Sequence, residues 1–189
     1  DSEGDLVELS GTGSISIDDV ESATLSDAVI VSEFDDEADP DVWIHGIVLY
    51  GGDVELENEG LSGTGPLVFI DIDEYQNYDE PQSETYEFGG SPVTADQGSF
   101  VEFGVLTDGT LNGYEGGSDV FSDAKSDGAT YAYHIYDDNP TFDNITPETL
   151  NAGFTGGAPS DGGTLSITFD TTDEETWEID FAFEATNGE

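Results

Sequence analysis

The side chains of this chain that could do chemistry are almost all carboxylates. The sequence holds 45 Asp and Glu residues among 189, against one cationic side chain, Lys125, and its formal charge is −44. It contains no Cys, which excludes thiolate catalysis, disulfides and Cys-based metal sites. The chemistry that remains open is the binding of a hard cation by oxygen ligands, or acid–base catalysis by paired carboxylates.

Three acidic clusters lie at the ends of predicted strands and in the loops that follow them. Calcium takes roughly six to eight oxygen ligands, which carboxylates and backbone carbonyls of such loops can supply. None of the clusters has the EF-hand spacing, and a solvated acidic surface would give the same clusters by chance. We predict calcium as a cofactor, with candidate ligands Asp35, Asp36, Asp39 and Asp41; Asp71, Asp73 and Asp79; and Asp137, Asp138 and Asp143.

A carboxylate pattern near the end of the chain raises the question of catalysis. Glu178, Asp180 and Glu184 share one face of a predicted strand, which resembles the E-x-D-x-E strand of jelly-roll β-glucanases. Ala182 stands where the acid of that motif belongs, and Glu184 is one residue late for the longer version. A retaining pair needs carboxylates about 5 Å apart, whereas Glu178 and Glu184 would be roughly 20 Å apart along a strand. We predict no enzyme activity and keep glycan hydrolysis as a minor alternative.

The elements that must position these side chains are strands. Apolar and polar residues alternate over 165–169 and 177–185, which is typical of strands with one buried face. Residues 107–128 are rich in glycine and acid, and we predict an irregular stretch there, with a short helical turn from 146 to 152. The other predicted strands cover residues 5–9, 13–18, 27–34, 42–50, 54–58, 66–73, 84–88, 99–106 and 129–136. This pattern predicts one all-β domain over residues 1–189, a jelly-roll-like β-sandwich of about ten strands with minimal helix.

The charge indicates where the protein works and excludes some partners. Carboxylates in this number repel one another in dilute buffer, and molar salt shortens the Debye length to about 3 Å and relieves that repulsion. We therefore predict a halophilic, secreted protein, found outside the cell or on its surface. Nucleic acid is excluded as a partner because phosphate binding needs Lys and Arg, and no apolar run reaches the roughly 18 residues of a membrane span.

Two smaller features agree with export. The chain opens at Asp1 without Met, which is typical of a processed terminus. Asn144 begins the sequon Asn144-Ile145-Thr146, and we predict it as a candidate glycosylation site.

His45 and His134 have no triad or ligand spacing, so we expect each to lie in the core or on a sheet face.

Association with other molecules is predicted at two places. Residues 1–9 form a candidate donor or edge strand, with Leu6, Val7 and Leu9 as its apolar side chains, so self-association into an oligomer or filament is expected. Tyr75 and Tyr78 lie in a predicted loop, where exposed aromatic rings could stack on sugars. A secreted carbohydrate-binding module is therefore the alternative function, with glycans as partners.

The closing hairpin also carries a resemblance to known families. Residues 164–168, a polar turn and residues 181–186 (Phe-Ala-Phe-Glu-Ala-Thr) resemble the last hairpin of secreted bacterial β-domains and lipoproteins of unknown function. The same ending is similar to that of camelysin/TasA-type matrix-fibre proteins. The second resemblance implies a jelly-roll subunit of extracellular filaments that are built by N-terminal donor strands. We therefore predict a structural or surface protein, assembled by strand addition and cation bridging.

Overall fold

A computed structural model describes residues 5–38, 41–58, 60–76, 78–88, 98–136, 139–140 and 150–186, and most of this backbone is extended. The strands are β1 (Asp5–Ile17), β2 (Glu21–Asp35), β3 (Val42–Tyr50), β4 (Glu55–Glu57), β5 (Gly60–Glu74), β6 (Thr85–Glu87), β7 (Ser99–Tyr114), β8 (Ala132–Tyr136), β9 (Asn139–Pro140), β10 (Asn151–Thr155), β11 (Thr164–Asp170) and β12 (Thr176–Phe183). Helix α1 (Asp119–Ser126) lies between β7 and β8. The predicted all-β class with minimal helix is confirmed, while the finer jelly-roll description stays a prediction. The described residues form twelve strands, against about ten predicted.

The strands form one curled sheet. Its order is β6-β10-β11-β12-β1-β2-β3-β5-β7-β8-β9, with β4 added beside β5, and its neighbouring strands run antiparallel. A parallel bridge between Phe88 and Phe100 brings the region after β6 against the start of β7. The sheet therefore curls around until its two halves share one interior.

The closing hairpin shows why the alternating sequence folds in this way. In β12, Trp177, Ile179, Phe181 and Phe183 are buried, and the residues between them are exposed. β11 alternates in the same way and pairs with β12 from Asp170↔Thr176 to Thr164↔Ala182. The predicted hairpin is confirmed, because a period of two places every second side chain on the same face.

Each face of the sheet has its own apolar cluster. The inner face holds the main core, which includes Ile15, Ile47, Ile70, Phe103 and Trp177. The outer face of β2, β3, β5 and β7 carries a second cluster, to which α1 contributes Phe121. Its other members include Val29, Val48, Leu67, Phe69 and Leu106. Central strands that are apolar on both faces account for the nearly continuous hydrophobic run of β3.

β1 differs from its prediction, since the two short pieces expected at 5–9 and 13–18 are one strand. The register of β1 against β2 shifts between Ser10 and Gly13, which is the mark of a β-bulge. A Cβ atom at Gly11 or Gly13 would overlap the backbone of β12 and the ring of Phe181. These glycines therefore permit close strand contact and do not interrupt the strand.

The prediction that residues 107–128 are irregular was wrong. β7 continues to Tyr114, and its second half pairs with β5 from Gly65↔Gly109 to Leu61↔Tyr114. Helix α1 follows and buries Phe121 against the outer face of the sheet, where Gly104 lacks the Cβ that would overlap the Phe121 ring. The eight residues of α1 are far too few for a bilayer span, and no other helix of the described residues is long and apolar enough for one.

The short helix predicted up to residue 152 was also wrong at its end. Asn151 and Ala152 belong to β10, which pairs with β11 on one side and β6 on the other. Ala152 is fully buried between these neighbours. Tertiary pairing thus determines the structure of Asn151 and Ala152, while the start of the predicted turn at Thr146 and Pro147 lies outside the described residues.

Candidate functional site

In the first predicted calcium cluster, the carboxylate of Asp35 is bound by the backbone of the residues that follow it. Asp35 accepts hydrogen bonds through Oδ1 from the backbone N–H groups of Glu37 (3.0 Å) and Ala38 (3.2 Å). Asp36 and Asp41 are exposed. Within the part of the chain that the structure describes, no group of three or more His, Asp or Glu side chains is arranged to hold a metal ion. The remaining candidates Asp39, Asp137, Asp138, Asp143 and the sequon residue Asn144 lie outside the described residues, so calcium stays a prediction.

The second predicted cluster is divided by the pleat of β5 and the loop after it. Asp71 and Asp73 lie on the outer face, while Glu74 points into the core and is fully buried. Asp79 is exposed in the following loop. These carboxylates therefore do not form one shared site.

On the outer face, Asp71 belongs to a different group, which joins three neighbouring strands. Asp71 in β5 lies directly opposite Glu102 in β7, and Gly104 of β7 lies opposite His134 in β8. His134 Nε2 is 2.7 Å from Glu102 Oε2, and the His134 side chain is only 3% exposed. The Phe121 ring of α1 stacks on the His134 imidazole with centroids 5.6 Å apart. We call Asp71, Glu102 and His134 the carboxylate–histidine row.

The electrostatics around Asp71 favour proton exchange by its carboxyl group near neutral pH. Burial raises the pKa of Asp71 to about 7, and the carboxylates of Asp73 and Glu102 add to that rise. A hydrogen bond from the Ile72 backbone acts in the opposite direction. Among the described residues, nothing hydrogen-bonds to Asp71 Oδ1. A carboxyl group in this environment can hold or release a proton near neutral pH.

The sequence predicted Asp71 as a calcium ligand and His134 as a core or sheet-face residue. It did not indicate that Glu102 lies opposite Asp71 and contacts His134. The available signal was a polar residue in the middle of three apolar strands. Each of Asp71, Glu102 and His134 interrupts such a strand. The register that aligns them could not be derived from the sequence, because it depends on β5, β7 and β8 being neighbours.

A second buried carboxyl group, that of Glu74, lies at the end of the inner core. The Tyr86 hydroxyl donates to Glu74 Oε1 at 3.2 Å, and burial together with the Glu84 carboxylate raises the pKa of Glu74 to about 7.

Burial lowers the pKa of His45 to about 4, so this imidazole is neutral at pH 7. Its Nε2–H donates to the Tyr78 carbonyl (3.1 Å), and its Nδ1 accepts from the Ser32 hydroxyl (2.8 Å). The arrangement holds the loop after β5 against the sheet.

The larger of the two described cavities is an acidic groove of about 730 Å³ between the second half of β7 and α1. Asp119, Asp123 and Asp127 recur every four residues and so share one side of the helical segment. Asp108 and Glu115 add two further carboxylates to its lining. The groove concentrates negative potential and would attract cations from solution.

A smaller cavity of about 90 Å³ lies on the outer face, over β1, β2, β3 and β5. We call it the apolar groove, and its lining includes Leu6, Val29, Val31, Gly46, Val48 and Phe69. Val31 is 39% exposed. Leu6 belongs to the first half of β1, so the groove reaches the strand that was predicted to mediate association.

The three predicted donor residues lie in that first half. Leu6, Val7 and Leu9 pair with Val31, Ile30 and Ala28 of β2 in the same chain. Leu9 is buried in the core, Leu6 is half-buried, and Val7 is 44% exposed. On the other side, β12 pairs with β1 only from Gly11 onward. Among the described residues, 5–9 therefore have a strand neighbour on one side only.

The carboxylates of the glycosidase-like pattern are all exposed. Glu178, Asp180 and Glu184 lie on the solvent side of β12 and its continuation, as their shared face predicts. Asp180 accepts a hydrogen bond from the Ser166 hydroxyl of β11. Each carboxylate is accounted for by the solvent face of an alternating hairpin.

No protein-family model, no curated protein and no solved structure matches this chain.

Proposed function

We propose that this chain is a non-enzymatic extracellular subunit of a halophile, which builds surface structures or filaments by adding strands at β1. The observation that carries this function is the edge of residues 5–9, which has no strand neighbour on the side away from β2 among the residues that the structure describes, with Val7 exposed beside it. An unpaired strand edge is a template for another chain. The resemblance of the closing hairpin to matrix-fibre subunits points to the same role.

The hydrogen-bonding groups of this edge can be assigned from one neighbouring contact. The Ser10 carbonyl accepts a hydrogen bond of 2.8 Å from the Glu184 backbone N–H, on the side of β1 away from β2. Backbone groups alternate in direction along a strand. The N–H and C=O groups of Leu6 and Glu8 therefore face the open edge, while those of Val7 and Leu9 face β2.

The charge of the chain explains why association would use backbone and apolar groups. Two surfaces carrying carboxylates repel each other unless salt screens them or cations lie between them. Strand addition supplies main-chain hydrogen bonds that need no charge. Calcium between acidic faces would then strengthen the assembly, and chelation at constant ionic strength would shorten it.

The experiment that tests this function replaces the open-edge donor of Glu8. In Glu8→Pro the outward N–H is lost, while the hydrogen bonds of Val7 and Leu9 to β2 remain, since proline is tolerated on edge strands. Light scattering in molar KCl should show that the wild type associates and that Glu8→Pro is reduced in mass. Glu8→Gln is the matched control, because it removes the charge and keeps the N–H. Equal masses for all three proteins would refute strand addition at β1.

One observation favours the alternative function, a carbohydrate-binding module. Tyr78 is 40% exposed, and its backbone carbonyl is fixed by His45, so the loop presents an aromatic ring from a supported position. Aromatic faces suit the apolar faces of sugar rings. Glycan-array binding that falls about tenfold or more in Tyr78→Ala would support this function. Tyr136→Ala, which removes a 55% exposed tyrosine from β8, is the control.

A further inference from the structure

A buried histidine joins the loop after β5 to two strands of the sheet. His45 is fully buried and lies on the same face of β3 as Ile47 of the main core. Its Nε2 is 3.1 Å from the Tyr78 carbonyl oxygen, and its Nδ1 is 2.8 Å from the Ser32 hydroxyl of β2. The Trp43 ring stacks on the imidazole with centroids 6.1 Å apart. The imidazole is therefore enclosed by β2, β3 and the loop.

These partners fix the protonation state of the imidazole. A carbonyl oxygen only accepts hydrogen bonds, so Nε2 carries the hydrogen in the contact with Tyr78. In the neutral form Nδ1 then has a lone pair, which accepts from the Ser32 hydroxyl. A protonated imidazole donates at both nitrogens, and the Ser32 hydroxyl would have to turn its hydrogen away. The chain of contacts from Ser32 through His45 to Tyr78 is therefore matched to neutral histidine.

The charged groups around His45 do little to stabilise a positive imidazole. Burial lowers the pKa of His45 to about 4, while the bond to Tyr78 and the charge of Asp79 act in the opposite direction. On β5, Ile72 lies opposite His45, and Glu74 is two residues further along the same face. Burial raises the pKa of Glu74 to about 7, so this group keeps its proton in acid and gives the imidazole no negative charge. β2 contributes an uncharged hydroxyl.

The loop has a second anchor, which limits how much of it can move. The Glu80 carboxylate accepts hydrogen bonds from the backbone N–H and the hydroxyl of Ser160, between β10 and β11. Further along, the Ser83 hydroxyl accepts from the Gly157 N–H at 2.7 Å. Loss of the His45 contact would therefore free the residues between β5 and Glu80 and leave both ends of the loop in place.

We propose that the contact between His45 and the Tyr78 carbonyl is an acid-sensitive latch, closed while the imidazole is neutral and released when it is protonated. In the released loop the imidazole meets water, where the pKa of histidine is about 6.5. The closed loop keeps the imidazole neutral down to about pH 4. Release therefore grows as the pH falls through this range, by about tenfold for each pH unit, and levels off below it. The latch is independent of strand addition at β1.

Solution NMR in molar KCl follows the imidazole and the loop separately. The carbon-bound hydrogens of the His45 ring report its protonation, and the heteronuclear NOE of the Tyr78 amide reports the order of the loop. In wild type, both should change together between about pH 6.5 and 4. The amide of Ile47, in the middle of β3, should stay ordered throughout. Circular dichroism verifies that the sheet stays folded.

Two substitutions assign the transition to the histidine. His45→Gln keeps an amide N–H for the Tyr78 carbonyl and does not titrate in this range, so the loop should stay ordered at pH 4. Ser32→Ala removes the hydroxyl that donates to Nδ1 of the neutral imidazole, so both transitions should move together to higher pH. Ser26→Ala is the matched control, because Ser26 is an exposed serine of the same strand.

Two further variants, Glu74→Gln and Glu80→Gln, remove the carboxyl groups at the ends of the loop, and the transition should survive in both. A loop that is equally ordered at pH 7 and pH 4 in wild type would overturn the latch. So would a transition that persists in His45→Gln or disappears in either glutamate variant. Loss of the circular dichroism signal together with loop order would overturn it as well, because the loop would then be released by unfolding of the whole sheet.

Discussion

At the scale of single residues, the unusual feature is acid held where a charge is costly. Asp71 lies beside Asp73 and Glu102 on the outer face, and Glu74 is fully buried at the end of the core. Burial is the largest cause of the raised pKa of both groups, which reaches about 7. Between about pH 4 and 7, the folded protein therefore keeps protons on Asp71 and Glu74 that the unfolded chain has already released.

The sign of the resulting pH dependence follows from these protons. Because the folded state binds more protons than the unfolded state in this range, the free energy of unfolding should fall as the pH rises from 5 to 8. Asp71→Asn removes one of the two groups and should gain about 1–2 kcal/mol relative to wild type at pH 8, with a smaller gain at pH 5. Urea unfolding in molar KCl measures both. The exposed Asp19→Asn is the control, and an equal response of the two variants at both pH values would contradict the assigned burial cost.

At the scale of elements, Phe121 is the one buried residue of α1, and the half-buried Val120 and Ala124 pack against the same cluster. The acidic residues Asp119 and Asp123 of this helix are four apart, and like charges at that spacing destabilise a helix. Phe121 is the buried residue of this helix, and it packs over Gly104 and against His134. The tertiary contact of Phe121 therefore offsets this repulsion between Asp119 and Asp123 and fixes α1 on the sheet.

Substitution of Gly104 tests that contact. Gly104→Ala should destabilise the protein by about 1–3 kcal/mol, because the new methyl group overlaps the Phe121 ring. Phe121→Ala removes the ring, so the added cost of Gly104→Ala should become small in that background. A double-mutant cycle by chemical denaturation measures the coupling. Additive costs would mean that the helix does not pack on Gly104 in solution.

The same elements show how far the sequence could predict the fold. The alternation of 177–183 was sufficient to predict β12, because its large apolar residues all lie on one face and are buried in the core. The second half of β7 was missed, since its glycine and polar residues show weak alternation and gain their order from pairing with β5. The carboxylate–histidine row was missed for a related reason. It depends on the lateral order of strands, and no local pattern of residues encodes that order.

At the scale of the whole molecule, charge sets the conditions for stability. A net charge of −44 on 189 residues opposes the compact state in dilute buffer. Salt should relieve this repulsion, so the thermal midpoint should rise steeply between 0.05 and about 1 M KCl and then level off as screening saturates. Scanning calorimetry across that range measures the midpoint. A midpoint that is independent of salt would contradict adaptation of this surface to high ionic strength.

The central claim is that subunits join along residues 5–9 of β1. Hydrogen exchange of the backbone amides tests it within one strand, because neighbouring residues point to opposite sides. The amides of Val7 and Leu9 face β2 and should be protected in both dilute and assembled protein. The amides of Leu6 and Glu8 face the open edge, so they should exchange rapidly in dilute protein and become protected in the assembled state. Rapid exchange of Leu6 and Glu8 in the assembled protein would contradict strand addition at this edge.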